Sequence, residues 1–184
     1  MVVINLFGGP GCGKSTGAAY VFAKLKMLGI NAELVSEFAK DKTWENNAKA
    51  LKCQPYVFGK QVYRLDRCAD DVDVIVTDSP LILSIIYNKD LDIEPFFTHT
   101  VTAKFNEYNN LNFFLNRIKE YNPKGRNQTE DEAKSIDSNI KNLLNSKNIS
   151  FETFDGTLDG YEKVVGKVLI YLHKNSWFFS KDIL

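Results

Sequence analysis

A glycine-rich segment directly follows the first apolar run of the chain, residues 2–6. Residues 8–16 read Gly-Gly-Pro-Gly-Cys-Gly-Lys-Ser-Thr and fit the pattern G-x-x-x-x-G-K-[ST]. In this pattern backbone N–H groups turn inward around phosphates, the lysine reaches the β and γ oxygens, and the hydroxyl ligates Mg²⁺. The alternative is a glycine-rich turn with no ligand. A strand before the loop and a helix after it favour a nucleoside triphosphate site. The motif does not say whether the γ-phosphate goes to a substrate or to water.

The size and charge of the chain restrict the classes that it can belong to. Its 184 residues fit one domain, which we assign to 1–184. Lysine plus arginine and aspartate plus glutamate are equal at 23 each, so no global positive field attracts nucleic acid, although a local basic patch is compatible with this balance. The three cysteines, an odd number at irregular spacing, favour reduced thiols over disulfides or a zinc site.

We expect a cytoplasmic protein with no membrane partner. No segment approaches the roughly 20 apolar residues that span a bilayer. The first apolar run has no basic stretch before it and leads straight into the glycine-rich loop, so we interpret it as a core strand and not as a signal peptide.

Short β-rich runs alternate along the chain with longer segments of helical period, which is typical of an α/β fold with a parallel sheet covered by helices. The predicted strands are residues 2–6, 31–35, 72–77, 111–115 and 149–154. The predicted helices are residues 16–28, part of 36–52, a helix opened by Gln54-Pro55, 81–87, one within 93–108, 129–145 and 161–173.

Two carboxylates follow predicted strands, at the sheet edge where ligands bind in open α/β folds. Asp78 ends the apolar third strand, where it can hold the metal together with the Ser15 hydroxyl. The alternative for Asp78 is a helix N-cap. Glu37 follows the second strand and can accept the proton of an attacking hydroxyl or orient that hydroxyl. The alternative for Glu37 is a solvated loop residue.

Four further side chains are candidates for binding the acceptor. Lys40 and Trp44 follow Glu37 on the chain; Trp44 can stack on a base or be a buried core indole. Gln61 and Arg64 are three residues apart, so they share one helix face and can hold a base or a phosphate. The alternative for this pair is a solvated surface.

A polar, basic segment with few apolar residues, which we assign to a lid over residues 117–128, follows the fourth strand. Arg117 and Arg126 lie in it, and an arginine there can neutralise charge that develops during phosphoryl transfer. The alternative is an exposed, charged loop. The residues predicted to contact ATP are Gly8, Gly9, Pro10, Gly11, Cys12, Gly13, Lys14, Ser15, Thr16 and Arg117; those predicted to act in catalysis are Lys14, Glu37, Asp78 and Arg126.

Taken together, these segments resemble the small P-loop kinases of the nucleoside and nucleotide kinase class. The resemblance covers nearly the whole chain and implies a five-stranded parallel sheet in the order 2-3-1-4-5, with helices on both faces and a mobile lid. Segments 6–16, 33–41 and 77–81 look like a bacteriophage branch. That branch includes kinases that phosphorylate 5-hydroxymethyluracil within viral DNA.

The residues and the resemblance lead to three functional hypotheses. The first is an ATP- and Mg²⁺-dependent kinase whose acceptor is the hydroxymethyl group of 5-hydroxymethyluracil in DNA, which in a duplex requires base flipping. The second is a kinase of a free nucleoside, nucleotide or ribosylnicotinamide. The third is a nucleotide-dependent regulatory ATPase, for which the aromatic segment 177–179 could contact a partner protein.

Overall fold

The computed structural model describes residues 1–118 and 129–175. Its five strands form one parallel sheet in the order β2-β3-β1-β4-β5, which confirms the predicted fold class and strand order. The strands are β1 Val2–Phe7, β2 Ala32–Val35, β3 Val74–Thr77, β4 Asn109–Asn116 and β5 Glu152–Asp155.

Eight α-helices connect the strands within the described residues. They are α1 Lys14–Met27, α2 Phe38–Trp44, α3 Ala48–Lys52, α4 Gln54–Ala69, α5 Ser84–Tyr87, α6 Glu94–Asn106, α7 Glu130–Ser146 and α8 Leu158–Lys174. A short 3-10 turn, Leu81–Leu83, precedes α5. The region between β2 and α4, predicted as loop and helix, forms two short helices.

Most predicted elements are confirmed, with shifted ends. Thr129 caps α7 through a capping box with Glu132, as the Thr-Glu-Asp-Glu sequence predicts. The prediction for β5 was wrong at its start, which lies at Glu152 and not at residue 149. Ile149 and Phe151 pack against the core without pairing in the sheet, and an apolar pattern signals such burial whether or not the backbone joins the sheet.

The side chains of β1 alternate between two cores, one on each face of the sheet. Even-numbered residues from Val2 to Leu6 pack with α1 and α8, whereas Val3 and Phe7 pack with α4, α6 and α7. A strand buried on both faces reads as a nearly continuous apolar run, which is why β1 and β3 stand out in the sequence.

Strands β1, β2 and β3 end at the same edge of the sheet. Asn5 in β1 and Val35 in β2 both pair with Thr77 in β3. The residues that follow each strand are therefore neighbours in space, although they are far apart in sequence. Within the part of the chain that the structure describes, no helix is long and apolar enough to span a bilayer.

Candidate functional site

The glycine-rich loop between β1 and α1 adopts a backbone that its glycines make possible. Gly8, Gly11 and Gly13 have φ angles of +135°, +85° and +99°, values that side chains with a Cβ rarely adopt. A Cβ on Gly8 would also lie 2.4 Å from the Cys12 Sγ, which is buried under the loop. Cys12 therefore has a packing role inside the loop.

Lys14 is held inside the loop by its own backbone. Its Nζ donates to the carbonyl oxygens of Gly8 at 2.6 Å and Gly9 at 3.0 Å. Burial by itself would lower the pKa of Lys14, but the surrounding acidic groups, among them Glu37 and Asp78, raise it above its ordinary value. The ammonium therefore stays protonated at neutral pH, as a phosphate ligand must.

Strand β4 and helix α7 support the loop from one side. Arg117, just after β4, donates from Nη1 to the Pro10 carbonyl at 2.6 Å and pairs from Nη2 with Asp137 of α7 at 2.8 Å. The other Asp137 oxygen accepts the backbone N–H of Gly9. We call Gly9, Pro10, Arg117 and Asp137 the loop latch. Arg117 is thus largely buried and attached to the loop, not part of an exposed, charged segment.

Helix α8 supports the loop from the other side. The Tyr161 hydroxyl lies 3.0 Å from the carbonyl oxygen of Gly13 and 3.2 Å from that of Gly156. A Cβ on Gly156 would lie 2.1 Å from the Cys12 carbonyl oxygen, so only glycine allows the turn after β5 to approach the loop this closely.

Glu37 and Asp78 meet at the shared edge of β2 and β3. The Asp78 Oδ1 accepts the backbone N–H of Glu37 at 3.1 Å, so the carboxylate after β3 fixes the residue after β2. The turn after Asp78 has no side-chain cap, and the N-cap alternative for Asp78 was wrong. Asp78 is 5% exposed and faces the same cavity as Glu37.

Gln61 and Arg64 of α4 hold the segment that carries Glu37. The buried Gln61 accepts the Phe38 N–H at 2.8 Å and donates to the Ser36 carbonyl at 3.3 Å. Arg64 donates to the same carbonyl at 3.3 Å and pairs with Asp41. The solvated-surface alternative was therefore wrong for Gln61. These bonds on both sides of Glu37 fix its backbone.

A cavity of about 500 Å³ lies between the glycine-rich loop and helices α2 to α5, and we call it the acceptor cavity. The candidate residues that line it are Pro10, Gly11, Gly13, Lys14, Ser15, Thr16, Glu37, Lys40, Trp44, Gln61 and Asp78. The lining residues that sequence reasoning missed include Thr43, Leu51, Gln54, Leu83 and Tyr87. The cavity has the size and the mixed lining of a small-molecule site.

Trp44 is 65% exposed and lines this cavity, so the buried-core alternative was wrong and the indole is accessible to a ligand. Arg64, Gly8, Gly9, Cys12 and Arg117 do not line the cavity. Arg126, most of the predicted lid and the segment 177–179 lie outside the described residues.

The ionisable groups of the cavity differ in how burial and charge act on them. Burial raises the pKa of Glu37 above its ordinary value of 4.5, although the Lys14 ammonium partly opposes this. Burial also raises the pKa of Tyr87, again against the effect of Lys14. A carboxylate with a raised pKa is a stronger base than an exposed one, which suits Glu37 for accepting a proton.

Ser15 and Asp78 both line the acceptor cavity and present oxygen ligands to it. Mg²⁺ bound with nucleotides takes one or two protein oxygens, with phosphates and water completing its shell. The pair therefore fits Mg²⁺ at a nucleotide. Among the described residues, no group of three or more His, Cys, Asp or Glu residues could hold a metal without such a ligand.

The fold and the glycine-rich loop define a protein with the P-loop kinase fold. Similar folds occur in a NadR protein in complex with NR (TM-score 0.74, 16% identity, 92% of this chain and 51% of that chain). The deoxyadenosine kinase from M. mycoides with bound dATP is also similar (TM-score 0.55, 16% identity, 94% of this chain and 100% of that chain). This chain spans about half the length of the NadR chain.

The profile of the AAA domain family matches residues 3–159, so the chain belongs to this family. The matched residues include the glycine-rich loop, Glu37 and Asp78. Among curated protein sequences, none matches this chain.

Proposed function

We propose that this protein is an ATP- and Mg²⁺-dependent kinase that transfers the γ-phosphate to a hydroxyl group bound in the acceptor cavity. One observation carries the proposal: Lys14 of the glycine-rich loop and the carboxylate of Glu37 line the same cavity of about 500 Å³. A triphosphate held by the loop and an acceptor beside Glu37 would be neighbours there. Positioning and charge stabilisation are the main sources of catalysis in phosphoryl transfer.

In the proposed step, the acceptor oxygen forms a bond to the γ-phosphorus while the bond from this phosphorus to the β–γ bridging oxygen breaks. ADP leaves with that electron pair, and the hydroxyl proton passes to the Glu37 carboxylate. Lys14 neutralises charge on the transferred group. When bound through Ser15 and Asp78, Mg²⁺ supplies further neutralisation of the phosphates. Arg126 is the proposed arginine of the lid.

The first candidate acceptor is the hydroxymethyl group of 5-hydroxymethyluracil in DNA. Its support is the resemblance of segments 33–41 and 77–81 to the bacteriophage branch. In this proposal Glu37 faces the hydroxymethyl group, while Lys40 and Trp44 contact the nucleotide that carries it. Gln61, which lines the cavity, stays a proposed direct contact, whereas Arg64, which does not line it, would act through the backbone around Glu37.

The second candidate acceptor is a free nucleoside, nucleotide or ribosylnicotinamide. Its support is that the two similar folds hold small ligands, NR in one case and dATP in the other. The third hypothesis is a regulatory ATPase; the segment 177–179, which is proposed to contact its partner, lies outside the described residues.

The decisive experiment supplies labelled ATP with separate acceptors to the purified protein. We expect label on DNA that contains 5-hydroxymethyluracil or on a small nucleoside acceptor, and none with Lys14→Ala, because this variant loses a main contact to the migrating charge. Undiminished transfer by Lys14→Ala would overturn the site assignment. Slow ATP hydrolysis that no acceptor accelerates would instead support the regulatory ATPase.

A further inference from the structure

A second cavity of about 660 Å³ adjoins the acceptor cavity. We call it the basic cavity; it is lined by Lys42, Thr43, Asn46, Ala48, Leu51, Lys52, Tyr87, Lys89 and Asp90. Thr43, Leu51 and Tyr87 line both cavities, whereas no residue of the glycine-rich loop lines the basic one. A ligand that fills both cavities would therefore extend away from the loop past these three side chains.

Three lysines from three separate segments face the basic cavity. Lys42 belongs to α2, Lys52 ends α3, and Lys89 follows α5. Because these segments are separate elements of the fold, only the tertiary structure brings the three lysines to one cavity. Three lysines thus stand beside the acceptor cavity, although the whole chain has a formal charge of zero.

The carboxylates near these lysines neutralise only part of the charge. Glu45 is bound to Lys42 at 2.6 Å. Asp90 lines the cavity, but its Oδ1 accepts the backbone N–H of Asp92 at 3.1 Å. Among residues 1–118 and 129–175, Lys52 and Lys89 form no hydrogen bond or ion pair with another side chain. Two ammonium groups are therefore available to an anionic ligand.

The nature of that anion follows from its place in the site. An acceptor in the first cavity can reach the second only through an extension of its own, and two lysine ammoniums favour a phosphate oxygen over a neutral group. This phosphate would not be the one transferred, because the basic cavity shares no residue with the glycine-rich loop.

We propose that the basic cavity binds a phosphate group attached to the acceptor, and thus that the acceptor is a nucleotide unit and not a free nucleoside. This inference rests on the proposed kinase function. The phosphate can belong to a nucleoside 5′-monophosphate or to the backbone of a polynucleotide strand. Both place the acceptor base and its hydroxyl beside Glu37 while Lys52 and Lys89 contact the phosphate.

The test compares three acceptors that differ in phosphate content: 5-hydroxymethyl-2′-deoxyuridine, its 5′-monophosphate, and a single-stranded oligonucleotide that contains it. The double variant Lys52→Ala/Lys89→Ala, which we call the alanine pair, should lower kcat/KM about tenfold for the phosphate-bearing acceptors. Its kcat/KM for the nucleoside should be unchanged. Lys52→Arg/Lys89→Arg should restore most of the loss. Lys60→Ala, an exposed lysine of α4 that lines neither cavity, is the matched control.

The two phosphate sources predict different losses of kcat/KM in the alanine pair. A loss for both the monophosphate and the oligonucleotide identifies a single nucleotide as sufficient, whereas a loss for the oligonucleotide alone identifies a strand. The inference is overturned if wild-type protein has the same kcat/KM for the nucleoside, the monophosphate and the oligonucleotide, and if Lys52→Ala/Lys89→Ala changes none of these values.

A binding measurement separates this inference from the kinase proposal. Equilibrium dialysis with the labelled monophosphate and oligonucleotide, without ATP, should show binding that weakens about tenfold in the alanine pair and falls with added salt. If no acceptor is phosphorylated but this binding persists, the kinase proposal fails and the phosphate site stands. Binding that is equal in wild-type protein and the alanine pair overturns the phosphate site, whatever the turnover.

Discussion

Glu37 has a backbone held by hydrogen bonds and a carboxylate at the acceptor cavity. Its backbone is fixed by Asp78, while its neighbours Ser36 and Phe38 are bound by Gln61. Its carboxylate lines the acceptor cavity, where burial raises its pKa. A fixed position and increased basicity are what a proton acceptor needs.

Glu37→Gln should lower kcat by about a hundredfold, since the amide cannot accept the proton, while ATP binding changes little. In wild-type protein the acid limb of the kcat/KM profile should lie above pH 4.5, the ordinary value for glutamate, because the pKa of Glu37 is raised. The pH profile of both proteins is the measurement, and Glu107→Gln, on an exposed residue that pairs with Lys104, is the control. Equal losses of ATP binding and of rate would identify Glu37 as structural.

The same substitution should stabilise the protein at neutral pH. An acid whose pKa is raised by folding favours the folded state at pH values below its unfolded pKa, and this contribution is lost as the pH rises through the folded pKa. Glutamine stays neutral throughout, so the melting temperature of Glu37→Gln should exceed that of wild-type protein increasingly from acidic to neutral pH. A constant difference across this range would contradict burial as the cause.

At the scale of elements, the glycine-rich loop is held between two helices that are far away in sequence. Helix α7 reaches it through Asp137 and Arg117, and helix α8 reaches it through the Tyr161 hydroxyl. Strand β4 contributes Arg117 just after its last residue, Asn116. Preorganised backbone N–H groups bind phosphate without reorganisation when the ligand arrives.

Asp137→Ala should lower the free energy of unfolding by about 3 kcal/mol, because it leaves the largely buried Arg117 guanidinium without its carboxylate. It should also raise the KM for ATP, since the Gly9 backbone loses its acceptor. Urea unfolding and steady-state kinetics measure the two effects. Lys134→Ala breaks an exposed ion pair on the same helix and should cost at most about 0.5 kcal/mol. An unchanged urea midpoint in Asp137→Ala would show that the loop latch does not stabilise the fold.

At the scale of the whole molecule, the sheet brings the glycine-rich loop, Glu37 and Asp78 to one edge. Ligands that bind only the folded state stabilise it, and ATP at about 100 times its Kd should add about 2.7 kcal/mol when Mg²⁺ is present. Thermal melts with ATP and Mg²⁺, with ATP and a chelator, and with Lys14→Ala test this. We expect the full increase in melting temperature only for wild-type protein with both ATP and Mg²⁺. If Lys14→Ala shows the same increase in melting temperature, ATP binds at a site other than the glycine-rich loop.

Much of the fold was predictable because its signals are local. The apolar runs of β1 and β3 mark strands buried on both faces, and the Thr129–Glu132 capping box marks the start of α7. The predicted start of β5 was wrong because apolar side chains such as Phe151 indicate burial, which does not require that the residue pairs in a sheet. Hydrophobic pattern alone does not separate these two states.

The candidate site was predictable only in part. The residues after β1, β2 and β3 could be placed together, since parallel strands end at one edge of the sheet. Tyr87, Asp137 and Tyr161 could not, because their roles depend on helices packing against the glycine-rich loop and its cavity. Their residue types at those positions are unremarkable in the sequence.

The sequence by itself determined the phosphate-binding loop, the alternation of strands and helices, and the two carboxylates at the sheet edge. These features follow from contacts between residues close in the chain and from the geometry that every parallel sheet shares. Only the tertiary structure decided that Arg117 latches the loop and that Gln61 holds the Glu37 segment. It alone also brought Lys52 and Lys89 to one cavity, because such contacts depend on how distant segments pack.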